Sequence, residues 1–220
     1  HITAAVFLLI AGIVVGIAAS EFIAKKEKDR LYPAEGLTKK GKLSDYLQNL
    51  EGTNGDTDIY FFDSGNPGGT VLLLGGTHPN EPSGYIGAVV LVENIKVTTG
   101  RIIVIPQACH SGFTCTDPME GLPTNYTLDT RGGKRTFSFG SRVSNPLDQW
   151  PDPEVYLHYP SGQKLSGFET RNLNRSYPGR ADGTFSERVG YAIIELIKKE
   201  KVDLAFDLHE AAPEIPIIKA

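Results

Sequence analysis

A histidine and a glutamate stand three positions apart in Gly75-Gly76-Thr77-His78-Pro79-Asn80-Glu81. An imidazole nitrogen and a carboxylate oxygen make a ligand pair that suits zinc. Alone, the pair reads equally well as a polar turn before a helix. A second histidine, His209, lies far downstream, just after Asp203-Leu204-Ala205-Phe206-Asp207-Leu208. Two histidines and one glutamate form a zinc set that leaves a fourth position for water or substrate, as catalytic rather than structural sites do. Asp207 and Glu210 flank His209 and are available to orient a ligand imidazole. Between the two halves runs Arg171-Asn172-Leu173-Asn174-Arg175-Ser176-Tyr177-Pro178-Gly179. Asn174 and Arg175 offer an amide and a guanidinium fork to one carboxylate, a pairing that lysine cannot copy. Without the zinc set, these arginines would read as surface residues of a polar loop.

The elements around these residues have to bring them together. Val71 to Leu74 is an apolar run stopped by two glycines, which predicts a strand buried on both faces. Pro82 fits a first helical turn, and Ile86, Val89 and Val90 follow helical spacing through Asn94. His78 and Glu81 therefore fall at the carboxyl end of a strand, where open α/β sheets place their ligands. Asp58 to Phe62 and Arg101 to Pro106 predict further strands. Thr184 with Glu187 matches a capping box. Val189, Ala192, Ile193, Leu196 and Ile197 then form an amphipathic helix, closed by Lys198, Lys199 and Lys201 on the negative end of its dipole. Asp203 to Leu208 reads as a short buried strand, so His209 ends a second strand of the same parallel sheet. Between Gln107 and Thr184 periodic order is sparse. A segment that long is more often functional than structureless, and it predicts either a packed surface excursion or the walls of a cleft.

Ile2 to Ser20 is almost wholly apolar and reaches the length of about 20 residues needed to cross a bilayer core. Gly12 and Gly16 give it a small-xxx-small face, and Lys25, Lys26, Lys28 and Arg30 follow at once. The leading expectation is a single-pass membrane anchor over residues 1–22, with the basic flank on the cytoplasmic side. The alternatives are a signal peptide cut near Ala18-Ala19-Ser20, giving a secreted protein, or a buried core helix. Residues 23–57 are polar and read as a linker with a short helix near Leu43 to Leu50. Residues 58–220 read as the globular domain, and another strand is expected from Ile215 to Lys219. The first residue is not methionine and the chain stops inside that expected strand, so the domain is expected to be truncated at its C-terminus.

The chain has 220 residues, with 22 Lys plus Arg against 26 Asp plus Glu for a net charge of −4. This is enough for one domain with a sizeable core, and no basic excess argues for nucleic acid. Cys109 and Cys115 read as two free thiols, with a disulfide as the alternative in an oxidising compartment. A Cys-His-Cys metal site around His110 lacks supporting spacing.

The ordered motifs G-G-x-H-x-x-E from Gly75, N-L-N-R-x-Y-P-G from Asn172 and D-L-H from Asp207 resemble the zinc carboxypeptidase superfamily, and within it the succinylglutamate desuccinylase and aspartoacylase branch. The resemblance covers about Gly75 to Ala211. It implies an α/β fold, a three-layer α/β/α sandwich with a mixed, largely parallel sheet. It implies one Zn2+ held by His78, Glu81 and His209, a substrate carboxylate bound by Asn174 and Arg175, and an arginine that stabilises the oxyanion. Arg171 is the nearest candidate for that arginine, and Arg142 a more distant one. Where the family commonly has Asp before L-N-R, this chain has Asn172. The family's general base is a glutamate well downstream of the third ligand, which places it beyond Ala220; Glu210 and Glu214 are the only acidic residues after His209.

The activity this implies is zinc-dependent cleavage of an amide bond in an N-acyl amino acid or similar small carboxylate-bearing amide. A carboxypeptidase acting on peptides is the second expectation. A membrane-tethered binding protein that keeps the fold without turnover is the third.

Overall fold

The computed structural model describes residues 2–25, 29–117 and 123–210. The chain starts with helix α1 (Ile2–Ala24), none of whose residues is buried. It is long and apolar enough to cross a membrane.

Five strands form the main sheet: β1 (Leu37–Lys42), β2 (Asp58–Asp63), β3 (Thr70–Leu74), β4 (Arg101–Ile105) and β9 (Leu204–Asp207), in the order β1-β2-β4-β3-β9. β3 runs parallel to β4 and β9. β1 with β2, and β2 with β4, are antiparallel. The sheet is mixed, and among the described strands its pairings divide evenly.

Two helices, α2 (Pro82–Asn94) and α4 (Phe185–Lys199), pack on it. Side chains alternate along a strand. Phe61, Leu72, Leu74, Ile103 and Ile105 join Phe185, Val189, Ile193 and Leu196 of α4 in one core. Tyr60, Phe62 and Val104 meet Ala88 and Val92 of α2 in another. The expected capping box at Thr184 and Glu187 is present.

The segment read as a polar linker belongs to the folded body. Leu43 and Leu50 are fully buried in the α4-side core. They sit in short 3-10 turns, Leu43–Asp45 and Gln48–Leu50, where one short helix was expected. Asp29 accepts hydrogen bonds from the Tyr85 hydroxyl at 2.7 Å and the Ser138 N–H at 2.8 Å. The Ala34 N–H donates to the Val92 carbonyl at 2.9 Å. The polar reading came from β1, a strand of lysines. Lys40 and Lys42 pair with Asp58, each at 3.0 Å, and charged side chains of this kind keep an outer strand from pairing further.

Residues 107–184 hold helix α3 (His110–Phe113) and two hairpins, β5 (Asn125–Thr130) with β6 (Gly133–Ser138) and β7 (Val155–Leu157) with β8 (Lys164–Ser166). Two further 3-10 turns cover Gly167–Arg171 and Leu173–Arg175. The strand expected from Ile215 to Lys219 lies outside the described residues. Cys109 and Cys115 are both free thiols.

Candidate metal centre

Three strand ends converge at one edge of the sheet. Leu74 pairs with Ile105 on one side and Asp207 on the other. The chain leaves β3 through Gly75 and Gly76. A Cβ on Gly75 would lie 2.6 Å from the Ala88 Cβ, so only glycine lets α2 come back this close over the strand end. Gly76 has φ 61°, a left-handed conformation that glycine adopts freely. Glu81 precedes α2 and makes no cap with its own side chain, so its carboxylate is free to turn toward the sheet edge. Gly84 in the first turn of α2 brings that helix against Leu208, where an added Cβ would stand 2.2 Å from the carbonyl oxygen. His209 follows at once.

The three candidate ligands meet: one donor atom each from His78, Glu81 and His209 lies within 4.8 Å of the others. Both Nδ1 atoms face one carboxylate, His78 to Glu81 Oε1 at 2.8 Å and His209 to Glu81 Oε2 at 2.8 Å. The far nitrogens face oxygens as well. His78 Nε2 is 3.0 Å from Asn172 Oδ1, and His209 Nε2 is 3.2 Å from Asp207 Oδ2. Thr77 donates its hydroxyl to Asp207 Oδ1 at 2.8 Å.

The Asn172 amide can point only one way. Its Oδ1 also accepts the Asn174 N–H at 3.0 Å, and its Nδ2 donates to Glu169 Oε2 at 2.7 Å. His78 Nε2 must therefore carry the proton, and a neutral His78 then presents a bare lone pair from Nδ1 to Glu81. Two acceptors 2.8 Å apart cannot bond to each other. Neutral His209 likewise has one N–H for two carboxylates. A cation resolves both conflicts. A proton on His78 is opposed by burial, which pushes its pKa down against the contacts with Asn172 and Glu81. Burial pushes Glu81 up, but contacts with His209, the Glu210 N–H and His78 more than offset it, so its carboxyl is held below the usual value. Burial raises Asp207 despite the Thr77 hydroxyl and the charge of His209. A nitrogen, nitrogen and carboxylate set with an anionic ligand and oriented imidazoles fits a divalent metal such as zinc.

Arg171 does not reach this cluster. Its guanidinium clamps Asp152 through two bonds, 2.7 Å from Nε and 2.9 Å from Nη2, and donates to the Ser144 carbonyl at 2.8 Å. The oxyanion role expected of it is therefore corrected: every edge of the fork is turned to a structural partner in a buried turn. Arg142 is the guanidinium at the cluster, 3.1 Å from Glu81 Oε1 and 40% exposed. Asn174 is half-buried beside Asn172, and Arg175 is exposed, its guanidinium unpaired among the described residues. Glu210 accepts the Ser83 N–H at 2.5 Å and so caps α2 from the end of β9. That contact was invisible in sequence, because it joins residues at opposite ends of the domain. Glu214 lies outside the described residues.

No family model and no curated protein matches the sequence. Several solved structures do resemble the chain. They are aspartoacylase and succinylglutamate desuccinylase proteins. An aspartoacylase family protein from Mesorhizobium loti shares 25% identity over 70% of this chain and 34% of its own, with a TM-score of 0.39. A succinylglutamate desuccinylase/aspartoacylase from Rhodobacter sphaeroides shares 20% over 71% and 34%, with a TM-score of 0.43. The product-bound ectoine utilization protein EutE (DoeB) from Ruegeria pomeroyi shares 24% over 69% and 32%, with a TM-score of 0.39. The chain thus spans about a third of the length of the structures it matches, and overlaps this loose decide nothing about the site.

Proposed function

We propose that the chain carries the zinc-binding part of a membrane-tethered hydrolase that cleaves the amide bond of an N-acyl amino acid or a similar small, carboxylate-bearing amide. The observation that carries this reading is the pair of imidazoles aimed through Nδ1 at one carboxylate, with Asn172 forcing the proton of His78 onto the far nitrogen. In this reading His78, Glu81 and His209 hold one Zn2+, which when bound supplies a water of near-neutral pKa and polarises the scissile carbonyl. Arg142, beside Glu81, faces the negative charge that develops on the carbonyl oxygen. Asn174 and the unpaired fork of Arg175 hold the substrate carboxylate and set its register. Glu210 is occupied at the start of α2, which leaves the general base to a glutamate beyond Ala220. The half-exposed Leu204 and Phe206 of β9 favour a sheet that continues past that strand. On this basis the whole domain is a three-layer α/β/α sandwich with a largely parallel sheet. Helix α1 is read as a single-pass anchor, with a cleaved signal sequence as the alternative.

Elemental analysis and zinc titration of the wild type and of His209→Ala test the centre. One tightly held zinc in the wild type, lost in the variant, is the expected result; equal zinc in both would remove the site. Hydrolysis of N-acyl amino acids set against peptides with a free C-terminus then separates deacylase from carboxypeptidase.

A further inference from the structure

The proton on His78 is fixed by Asn172, and Asn172 is in turn held by a carboxylate. Its Nδ2 donates to Glu169 Oε2 at 2.7 Å. We propose that Glu169 is a positioning residue for the ligand His78, supplying through the Asn172 amide the negative charge that Asn172 itself lacks. This rests on the reading of His78 as a metal ligand.

The geometry makes the relay directional. Asn172 is fully buried, and both ends of its amide are committed. Oδ1 accepts from His78 Nε2 and from the Asn174 N–H; Nδ2 gives a proton to a carboxylate that can only accept. Polarisation runs from Glu169 through the amide to the imidazole, raising the electron density that Nδ1 offers a cation. The turn that carries both residues is rigid. The Asn172 N–H closes on the Glu169 carbonyl at 3.0 Å, which sets the two side chains on one side. Arg171, between them, clamps Asp152, and the Ser144 N–H donates to the Arg171 carbonyl at 2.9 Å. Gly167 opens the turn pressed against Pro153, where an added Cβ would overlap the carbonyl oxygen. The clamp of Arg171 therefore serves the relay by holding its backbone.

The test exchanges the charge between the two positions. In the full chain, Glu169→Gln is expected to weaken zinc binding by about 10–100-fold, the usual effect of losing a group behind a metal ligand. Asn172→Asp alone is expected to bind zinc poorly too, because it sets two carboxylates in contact at the relay. Glu169→Gln combined with Asn172→Asp moves the charge next to His78 and lets the glutamine donate to it. Zinc affinity is then expected to return to within a few-fold of wild type. A merely structural role for Glu169 predicts no such recovery. Zinc binding by Glu169→Gln equal to wild type, or a double variant no better than Glu169→Gln, would overturn the proposal. A second measurement needs no variant: nitrogen-15 NMR of metal-free wild type should show His78 protonated on Nε2, and an Nδ1–H form would overturn the relay. If the wild type bound no zinc at all, the metal reading would fail, while the NMR result would still decide which way the relay points.

Discussion

Replace Gly84 with alanine and the new methyl carbon stands 2.2 Å from the Leu208 carbonyl oxygen. Leu208 cannot simply retreat, since its N–H is bound to the Leu74 carbonyl at 2.9 Å as a rung of the sheet. Helix α2 and the end of β9 must instead part by about an ångström to reach ordinary contact. Overpacking of this kind costs about 1–3 kcal/mol, and the better helix propensity of alanine offsets up to about 1 kcal/mol of it. The net loss of about 1–2 kcal/mol corresponds to a fall in melting temperature of about 2–8 °C for a chain this size. The effect on the metal centre is larger. Glu81 rides on the start of α2 and His209 follows Leu208, so the two ligands move apart with their elements. Zinc distances tolerate only about 0.2 Å, and affinity should fall by at least about 100-fold, beyond the effect of changes behind the ligands. Gly87→Ala is the control: on the same helix its Cβ meets only the tip of Leu208, at 3.6 Å. That variant should match the wild type in zinc binding and gain up to about 1 kcal/mol in stability. Calorimetry without metal and competition titration with zinc read the two quantities separately. Gly84→Ala and Gly87→Ala behaving alike in both would refute the close approach of α2 and β9 as what aligns the ligands.

Arg171→Met should destabilise the fold by roughly 3 kcal/mol, because the largely buried Asp152 loses its partner. Turnover per folded molecule should be unchanged, and a fall in kcat without a change in melting would restore the oxyanion role to Arg171. Arg142→Gln should do the reverse, lowering kcat about 100–1,000-fold with little change in melting; unimpaired turnover would remove Arg142 from the chemistry. Burial pushes Glu200 up, but the Tyr46 hydroxyl and Arg101 outweigh it and hold its carboxyl below the ordinary value. A carboxylate depressed in the folded state stabilises above its unfolded pKa and loses that contribution as pH falls through the folded one. Glu200→Gln should therefore cost stability near neutrality and flatten the acid limb of the melting-versus-pH curve below about pH 4.5; parallel curves would contradict this. Ile13→Arg in α1 should oppose insertion by about 3 kcal/mol and release the protein into alkaline carbonate washes. Equal retention of the variant and the wild type in membranes would count against a spanning helix.

How far the sequence reveals this site depends on where each residue finds its partners. His78, Glu81 and His209 are legible because few side chains ligate zinc and because glycines and apolar runs mark the strand ends that carry them. Helix α2 and the capping box at Thr184 are legible because their partners lie within one turn. Strand β1 is not, since its lysines are stabilised by Asp58 and by the rings of Tyr60 and Phe61 on the neighbouring strand. The two arginines were harder still. Guanidinium groups reach far, and what decides between Arg171 and Arg142 is that Asp152 and Glu81 are brought to them by the fold. Asn172 shows the limit most sharply. Set against a family pattern it reads as a lost charge; in the structure Glu169, three positions earlier, faces its amide. That spacing places two side chains on one side of a helical turn, so the pair could have been found in the sequence had Gly167 to Arg171 been read as a turn rather than as loop. The charge behind His78 has moved one hydrogen bond outward, and a motif written as single letters cannot record a role divided between two residues.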